Sequence, residues 1–302
     1  MFEIIKAVIF GIVEGITEWL PISSTGHLIL LNEFIKLNVS EEFFETFDVV
    51  IQLGAISAVV IVFFWHLWPF YIKGKGTKTK FNIKNNDPAI GNIALSLDAL
   101  RMWIKIVIAC IPAIIYAFIL DEKIEPLMKS NIGKTNITIE TMVIAIMLIV
   151  VGILFIIIEN KNKNKEPKVT KISKISYTHA LLIGLCQLVA AILPGTSRSG
   201  STIIGGLCMG IERSVIVEFT FFLGIPVMFG ASLLKLLKHG LSFTGLEIGI
   251  LLTGMIVSFI VSLIVIRFII NYIKTHDFKV FGYYRIVLGL VVLLYFALKA
   301  LF

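Results

Sequence analysis

Six stretches of this chain, 47–69, 100–120, 139–159, 214–237, 246–270 and 282–302, are poor in charge and long enough to cross a bilayer, a task that takes about 20 apolar residues. Lipid offers the backbone no hydrogen-bond partners, so segments of this length read as helices. Composition agrees. The 302 residues are 57% hydrophobic and 16% charged, against about 45–50% and about 25% in a soluble domain. The expected fold class is an all-α integral membrane protein with six transmembrane helices. Met1 to Ile16 is apolar enough for a secretory leader. However, Glu14 and Glu18 fall where a cleavage region is small and uncharged, and Lys6 is the only positive charge before them. The segment therefore reads as part of the mature protein. Cys110, Cys186 and Cys208 each sit in an apolar run without metal-ligand spacing and read as plain buried residues.

Two further apolar regions, 3–35 and 177–210, are broken in the middle. Pro21-Ile22-Ser23-Ser24-Thr25-Gly26-His27 interrupts the first and Pro194-Gly195-Thr196-Ser197-Arg198-Ser199-Gly200 the second. A helix does not run undisturbed through such a loop. Non-helical backbone survives at membrane depth only where it is buried in protein or lines a wet cavity. Each region therefore reads as a re-entrant helical hairpin with a polar loop near the midplane. Gly11, Glu14, Glu18, Pro21 and Ser24 align without a gap onto Gly184, Gln187, Ala191, Pro194 and Ser197. Each hairpin is followed by three spans, so the second copy is expected to enter from the opposite side, as in inverted-topology repeats. The expected organisation is a first repeat over 1–159, a basic linker over 160–176 and a second repeat over 177–302.

Charge patterning gives the same topology. Lys73, Lys75, Lys78, Lys80 and Lys84 mark one connection. Lys161, Lys163, Lys165, Lys168, Lys171 and Lys174 mark a second, read as a solvated flexible loop, and Lys274, Lys279 and Arg285 a third. All three fall on one face, which the positive-inside rule assigns to the cytoplasm. Glu41, Glu42, Glu45, Asp48 and the mixed 121–138 stretch fall on the other. Both termini are then outside. The net charge of +7 belongs to these connections and does not point to nucleic acid.

Three groups carry candidate chemistry. Glu14 and Glu18, four apart, share one helix face. Two carboxylates in an apolar helix default to function, and a divalent cation held by both, Mg²⁺ or Ca²⁺, relieves their repulsion. The first loop offers Ser23, Ser24 and Thr25, with Ser24 as the expected helix N-cap. His27 lies three residues beyond Ser24 and is suited to proton transfer. In the second loop Arg198 is a permanent cation, surrounded by Ser197, Ser199, Ser201 and Thr202, with a helix expected to begin just after it. Arginine, hydroxyls and a helix N-terminus together describe a phosphate site.

Glu14-Gly-Ile-Thr-Glu18-Trp-Leu-Pro-Ile-Ser-Ser-Thr-Gly-His27 and Pro194-Gly-Thr-Ser-Arg-Ser-Gly-Ser-Thr202 resemble the two signature motifs of the bacitracin-resistance type of undecaprenyl-diphosphate phosphatase. The resemblance runs through essentially the whole chain. It implies a bacterial plasma-membrane enzyme that removes the terminal phosphate of undecaprenyl diphosphate, with its site open to the outer side. It also implies functional roles for Glu14, Glu18, Ser24, His27, Ser197, Arg198 and Thr202. On this reading Glu14 and Glu18 hold the cation, Ser24 is the nucleophile and His27 handles protons. Arg198 clamps phosphate with Ser197 and Thr202. The rival reading is a transporter or flippase for an anionic lipid or small anion, since inverted repeats are transporter architecture. A non-catalytic scaffold leaves the buried charges unexplained. A homodimer stays open as an alternative to a monomer.

Overall fold

The structure is a computed structural model that describes residues 2–72, 89–90, 93–119, 121–130, 139–240 and 242–301. The lysines of the first basic connection, Lys73 to Lys84, and residues 131–138 of the mixed stretch lie outside them. In order, the elements are α1 (Phe2–Thr17), α2 (Ser24–Phe34), α3 (Glu41–Val62), α4 (Phe64–Leu67), β1 (Phe70–Ile72), β2 (Ala89–Ile90) and β3 (Ile93–Leu95). There follow α5 (Leu97–Ile119), α6 (Asp121–Met128), α7 (Ile139–Asn162), α8 (Tyr177–Ile192), α9 (Arg198–Cys208), α10 (Arg213–His239), α11 (Gly245–Tyr272) and α12 (Lys279–Leu301). The three strands pair in the order β1-β3-β2. They are two or three residues long and leave the all-α architecture unchanged.

Six of the described helices, α3, α5, α7, α10, α11 and α12, are long and apolar enough to cross a membrane. Their outward faces are apolar too. Ile61, Val107, Ile256, Ile264 and Leu294 each expose more than half their surface. A continuous surface of that kind marks contact with something other than water, and with six spans that partner is lipid. The protein is thus a multi-pass membrane protein.

The helices begin where capping chemistry starts them. The span expected over 47–69 begins at Glu41, because Ser40 accepts a hydrogen bond from the Phe43 amide and Glu41 and Glu42 fill the first turn. It ends at Val62, and Phe63 breaks the chain into the short α4. Apolarity marks the part of a helix that meets lipid, whereas the cap marks where the helix starts.

Packing pairs α1 with α11, α8 with α5, and α7 with α12, while α3 packs on both α10 and α11. Two glycines make the first two contacts close. A Cβ on Gly11 would stand 2.7 Å from the Gly254 carbonyl oxygen, and one on Gly184 2.3 Å from that of Ala109. Small residues allow such approach where lipid supplies no hydrophobic drive between helices.

The two ends of the bundle are tied differently. At one end Glu45 pairs with Lys129 and with Lys235, Lys299 pairs with Glu33, and the Asn38 amide donates to Glu3. At the other, buried Glu159 pairs with Arg213 and accepts from the Phe278 amide at 3.1 Å. The 160–174 segment meets this second end and is not the free loop its composition suggests. The Lys168 and Val169 amides donate to the Gly210 carbonyl, and the Glu212 amide donates back to Val169. Val169 and Ile175 are buried. Backbone pairing with the α9–α10 turn fastens a segment whose side chains are mostly solvated.

Candidate functional site

Both broken regions are helix, loop, helix, and both loops end in the same unusual way. Ser23 has φ 73° and Ser197 φ 71°, the two described non-glycine residues at positive φ. Each is an N-cap: Ser23 Oγ accepts from the Gly26 amide at 3.4 Å, and Ser197 Oγ from the Gly200 amide at 3.2 Å. So α2 starts at Ser24 and α9 at Arg198. This corrects two expectations. The N-cap is Ser23 rather than Ser24, and the gapless alignment of Ser24 onto Ser197 slips by one within the loop. The second loop places Gly195 and Thr196 between its proline and its cap, where the first has only Ile22. Arg198 is therefore the counterpart of Ser24. Left-handed backbone on a serine costs free energy and tends to persist at functional sites.

Relieved of capping, the Ser24 hydroxyl donates to Glu18 Oε2 at 2.8 Å. The other carboxylate oxygen, Oε1, receives Arg198 Nη2 at 2.8 Å. Arg198 Nη1 donates to the Thr220 carbonyl at 3.0 Å, and Gly224 leaves the guanidinium its space, since a Cβ there would lie 3.0 Å from it. Arg198, Glu18 and Ser24 are thus one connected, largely buried cluster, with the first turns of α2 and α9 converging on it. The first amides of a helix have no partner inside it and favour an anion.

The remaining hydroxyls divide. Ser199 Oγ lies 3.2 Å from Ser197 Oγ and 3.4 Å from the Glu18 carbonyl, beside the cluster. Ser201 and Thr202 donate to the Arg198 carbonyl, and Thr202 also meets Thr220 Oγ1 at 3.0 Å. These two secure the first turn of α9 and hold Arg198 in place. Thr25 makes no side-chain hydrogen bond among the described residues.

His27 is not beside Ser24. Its Nδ1 lies 2.7 Å from the Ser23 carbonyl and its Nε2 2.6 Å from the Tyr284 hydroxyl, with the two rings parallel. Both nitrogens are occupied, and neither faces the carboxylates. Spacing of three residues permitted a Ser24–His27 contact, but the i−4 carbonyl captured the ring instead.

Arg285 was counted above among the basic connections, and the structure moves it to the centre of the site. It lies in α12, is wholly buried, and donates to the carbonyls of Pro21 at 3.1 Å, Gly195 at 2.7 Å and Thr196 at 3.0 Å. One guanidinium holds both loops. The available signal was its place inside the 282–302 apolar stretch, where an ionisable residue is a functional flag.

Glu14 is fully buried, and neither of its carboxylate oxygens has a hydrogen-bond partner among the described residues. A buried carboxylate without a partner is costly, so Glu14 suits a divalent cation. Both Glu18 oxygens are already engaged.

The fold and site define a multi-pass helical membrane protein with a Ser–Glu–Arg cluster at the meeting point of two helix–loop–helix regions. The chain belongs to the family described as bacitracin resistance protein BacA, which it matches over residues 7–291. It is 54% identical over 294 residues to undecaprenyl-diphosphatase 1 of Clostridium acetobutylicum, covering 97% of each chain. It is 52% identical over 302 residues to the undecaprenyl-diphosphatase of Desulfitobacterium hafniense, covering 100% of this chain and 99% of that one. Undecaprenyl-diphosphatase 1 of Clostridioides difficile is 50% identical, with 99% and 98% covered.

Proposed function

We propose that this chain hydrolyses undecaprenyl diphosphate to undecaprenyl phosphate and inorganic phosphate. The observation that carries the chemistry is the Ser24–Glu18–Arg198 chain of hydrogen bonds. It sets a hydroxyl, a base that already accepts its hydrogen, and a fixed cation side by side. The names and full-length similarity of the relatives supply the substrate.

In the mechanism, Ser24 Oγ attacks the terminal phosphorus as Glu18 takes its proton. The bond to the bridging oxygen breaks, undecaprenyl phosphate leaves, and the terminal phosphoryl group remains on Ser24. Glu18 passes the Ser24 proton to the departing phosphate, and the freed carboxylate then takes a proton from the water that attacks the phosphorus. Inorganic phosphate leaves, and Ser24 recovers a proton through Glu18. Arg198 lies against the reacting hydroxyl's base and stabilises charge on the phosphoryl oxygens, together with the opening amides of α2 and α9. Arg285 acts through the backbone by fixing both loops. A divalent cation at Glu14, Mg²⁺ or Ca²⁺, would supply further neutralisation of phosphate charge.

In this reading the interrupted hairpins are re-entrant and the two halves form an inverted repeat. The equivalent pairing of α1 with α11 and of α8 with α5 supports it. The chain sits in the bacterial plasma membrane with its lysine-rich end in the cytoplasm and its site open to the outer side. Removal of lipid diphosphate, the form that bacitracin sequesters, then accounts for resistance.

Phosphate release from undecaprenyl diphosphate by purified protein in detergent tests the proposal. Detergent has no sides, so a transporter releases none, and absence of release sinks the reading.

A further inference from the structure

Asp48 was read from the sequence as one of four acidic groups on the face opposite the lysine-rich connections. The structure places it inside α3, with its Oδ1 buried and without a hydrogen-bond partner among the described residues. It belongs to no step of the reaction above.

Across the α1–α3 interface Glu14 stands at the same level. Phe10 of α1 packs edge-on against Phe44 and Phe47 of α3, with ring centroids 5.7 and 5.8 Å apart. One turn further along α1 is Glu14, and one turn further than Phe44 along α3 is Asp48. Both helices run away from the end where Glu3 meets Asn38, so these two turns advance in the same direction. Glu14 lies within electrostatic reach of Asp48, and Asp48 within that of Glu140 and Glu18.

Three carboxylate oxygens in this region have no partner: both of Glu14 and Oδ1 of Asp48. The nearby cations are committed elsewhere. Arg198 holds Glu18 and the Thr220 carbonyl, and Lys235 holds Glu45. Like charges whose oxygens are withdrawn from water without a counter-ion are unfavourable. Glu18, in contrast, already binds Ser24 through one oxygen and Arg198 through the other. For Glu18 to hold a metal it would have to release the group it activates.

We infer that the divalent cation of this site is held between Glu14 of α1 and Asp48 of α3, with Glu18 left to serve Ser24 and Arg198. This rests on the phosphatase reading and changes its metal ligands. A hard cation bound by two carboxylates and completed by substrate phosphate oxygens and water is ordinary coordination for Mg²⁺. Ligands from two helices make cation binding depend on the α1–α3 contact as well as on the first motif.

Binding of Mn²⁺ to purified protein in detergent, read from the loss of the free-ion paramagnetic resonance signal, separates the assignments. Glu14→Gln and Asp48→Asn are each expected to weaken Mn²⁺ at least about tenfold, since even outer-shell changes commonly cost that much. Asp48→Glu, which keeps the carboxylate, should retain binding, and Glu18→Gln should stay within about threefold of the parent. Equal weakening by Glu14→Gln and Glu18→Gln, with Asp48→Asn unaffected, returns the cation to the helix pair and overturns the inference. A parent that releases phosphate but takes up no Mn²⁺ also overturns it and leaves the reaction standing. A parent that binds Mn²⁺ as described but releases no phosphate upholds the cation site and sinks the reaction.

Discussion

Ser24 gives its hydroxyl hydrogen to Glu18 across 2.8 Å, although Glu18 lies just past the end of α1, Ser24 opens α2, and a distorted loop runs between them. A serine hydroxyl is a weak nucleophile without a base, and this contact supplies one. It leaves His27 outside the proton path.

Ser24→Ala is therefore expected to abolish turnover. His27→Ala should lose less, because its two contacts position α2 against α12 rather than the nucleophile. Two in-line displacements give net retention at phosphorus. A chiral terminal-phosphate analogue that yields inverted product would remove Ser24 as nucleophile, while the phosphatase activity would stand.

Glu18→Gln keeps the shape of the side chain and removes the base. General-base catalysis contributes about 10²–10⁴-fold, so kcat should fall by at least about a hundredfold. A glutamine variant with near-parent kcat would transfer the proton to another group.

Arg198→Lys replaces a planar fork that reaches Glu18 and the Thr220 carbonyl together with a single point charge. At least about tenfold in kcat/KM should be lost, or roughly 1.4 kcal/mol of transition-state stabilisation. Steady-state kinetics with full activity in this variant would contradict the phosphate-clamp role.

Arg285→Met leaves the buried carbonyls of Pro21, Gly195 and Thr196 without their donor. Each unsatisfied group costs about 1–3 kcal/mol. A lower thermal midpoint in detergent and a larger loss of activity than at any exposed basic residue should follow. An unchanged midpoint would mean that the two loops hold themselves.

Sidedness can be read with single cysteines in intact cells. A membrane-impermeant reagent applied outside is expected to label position 40 and spare position 165. The opposite pattern would invert the assignment of the lysine-rich end.

The sequence made the spans and both loops legible because apolar length and proline-bearing polar interruptions are local signals. Arg198 and the glutamates were legible for the same reason: charge in an apolar run is costly. Which serine would cap was not, since Ser23, Ser24 and Thr25 all have capping chemistry and only the backbone angle at Ser23 chooses. His27 missed Ser24 because spacing fixes a helix face and not a partner. Arg285 and Asp48 were misread as connection charges. Each lies near the edge of an expected span, where composition cannot tell the last exposed turn from the first buried one. The burial of Arg285 comes with loops far away in sequence.

The reach of Arg285 also says something about biogenesis. It lies in α12, which leaves the ribosome after the eleven helices described before it, and it ties down a loop near residue 21 and another near residue 195. Both motifs are made before α12, yet their loops lack this shared anchor until α12 inserts. Catalytic competence thus waits on insertion of α12, and a nascent chain lacking it carries Ser24, Glu18 and Arg198 beside loops without their shared clamp.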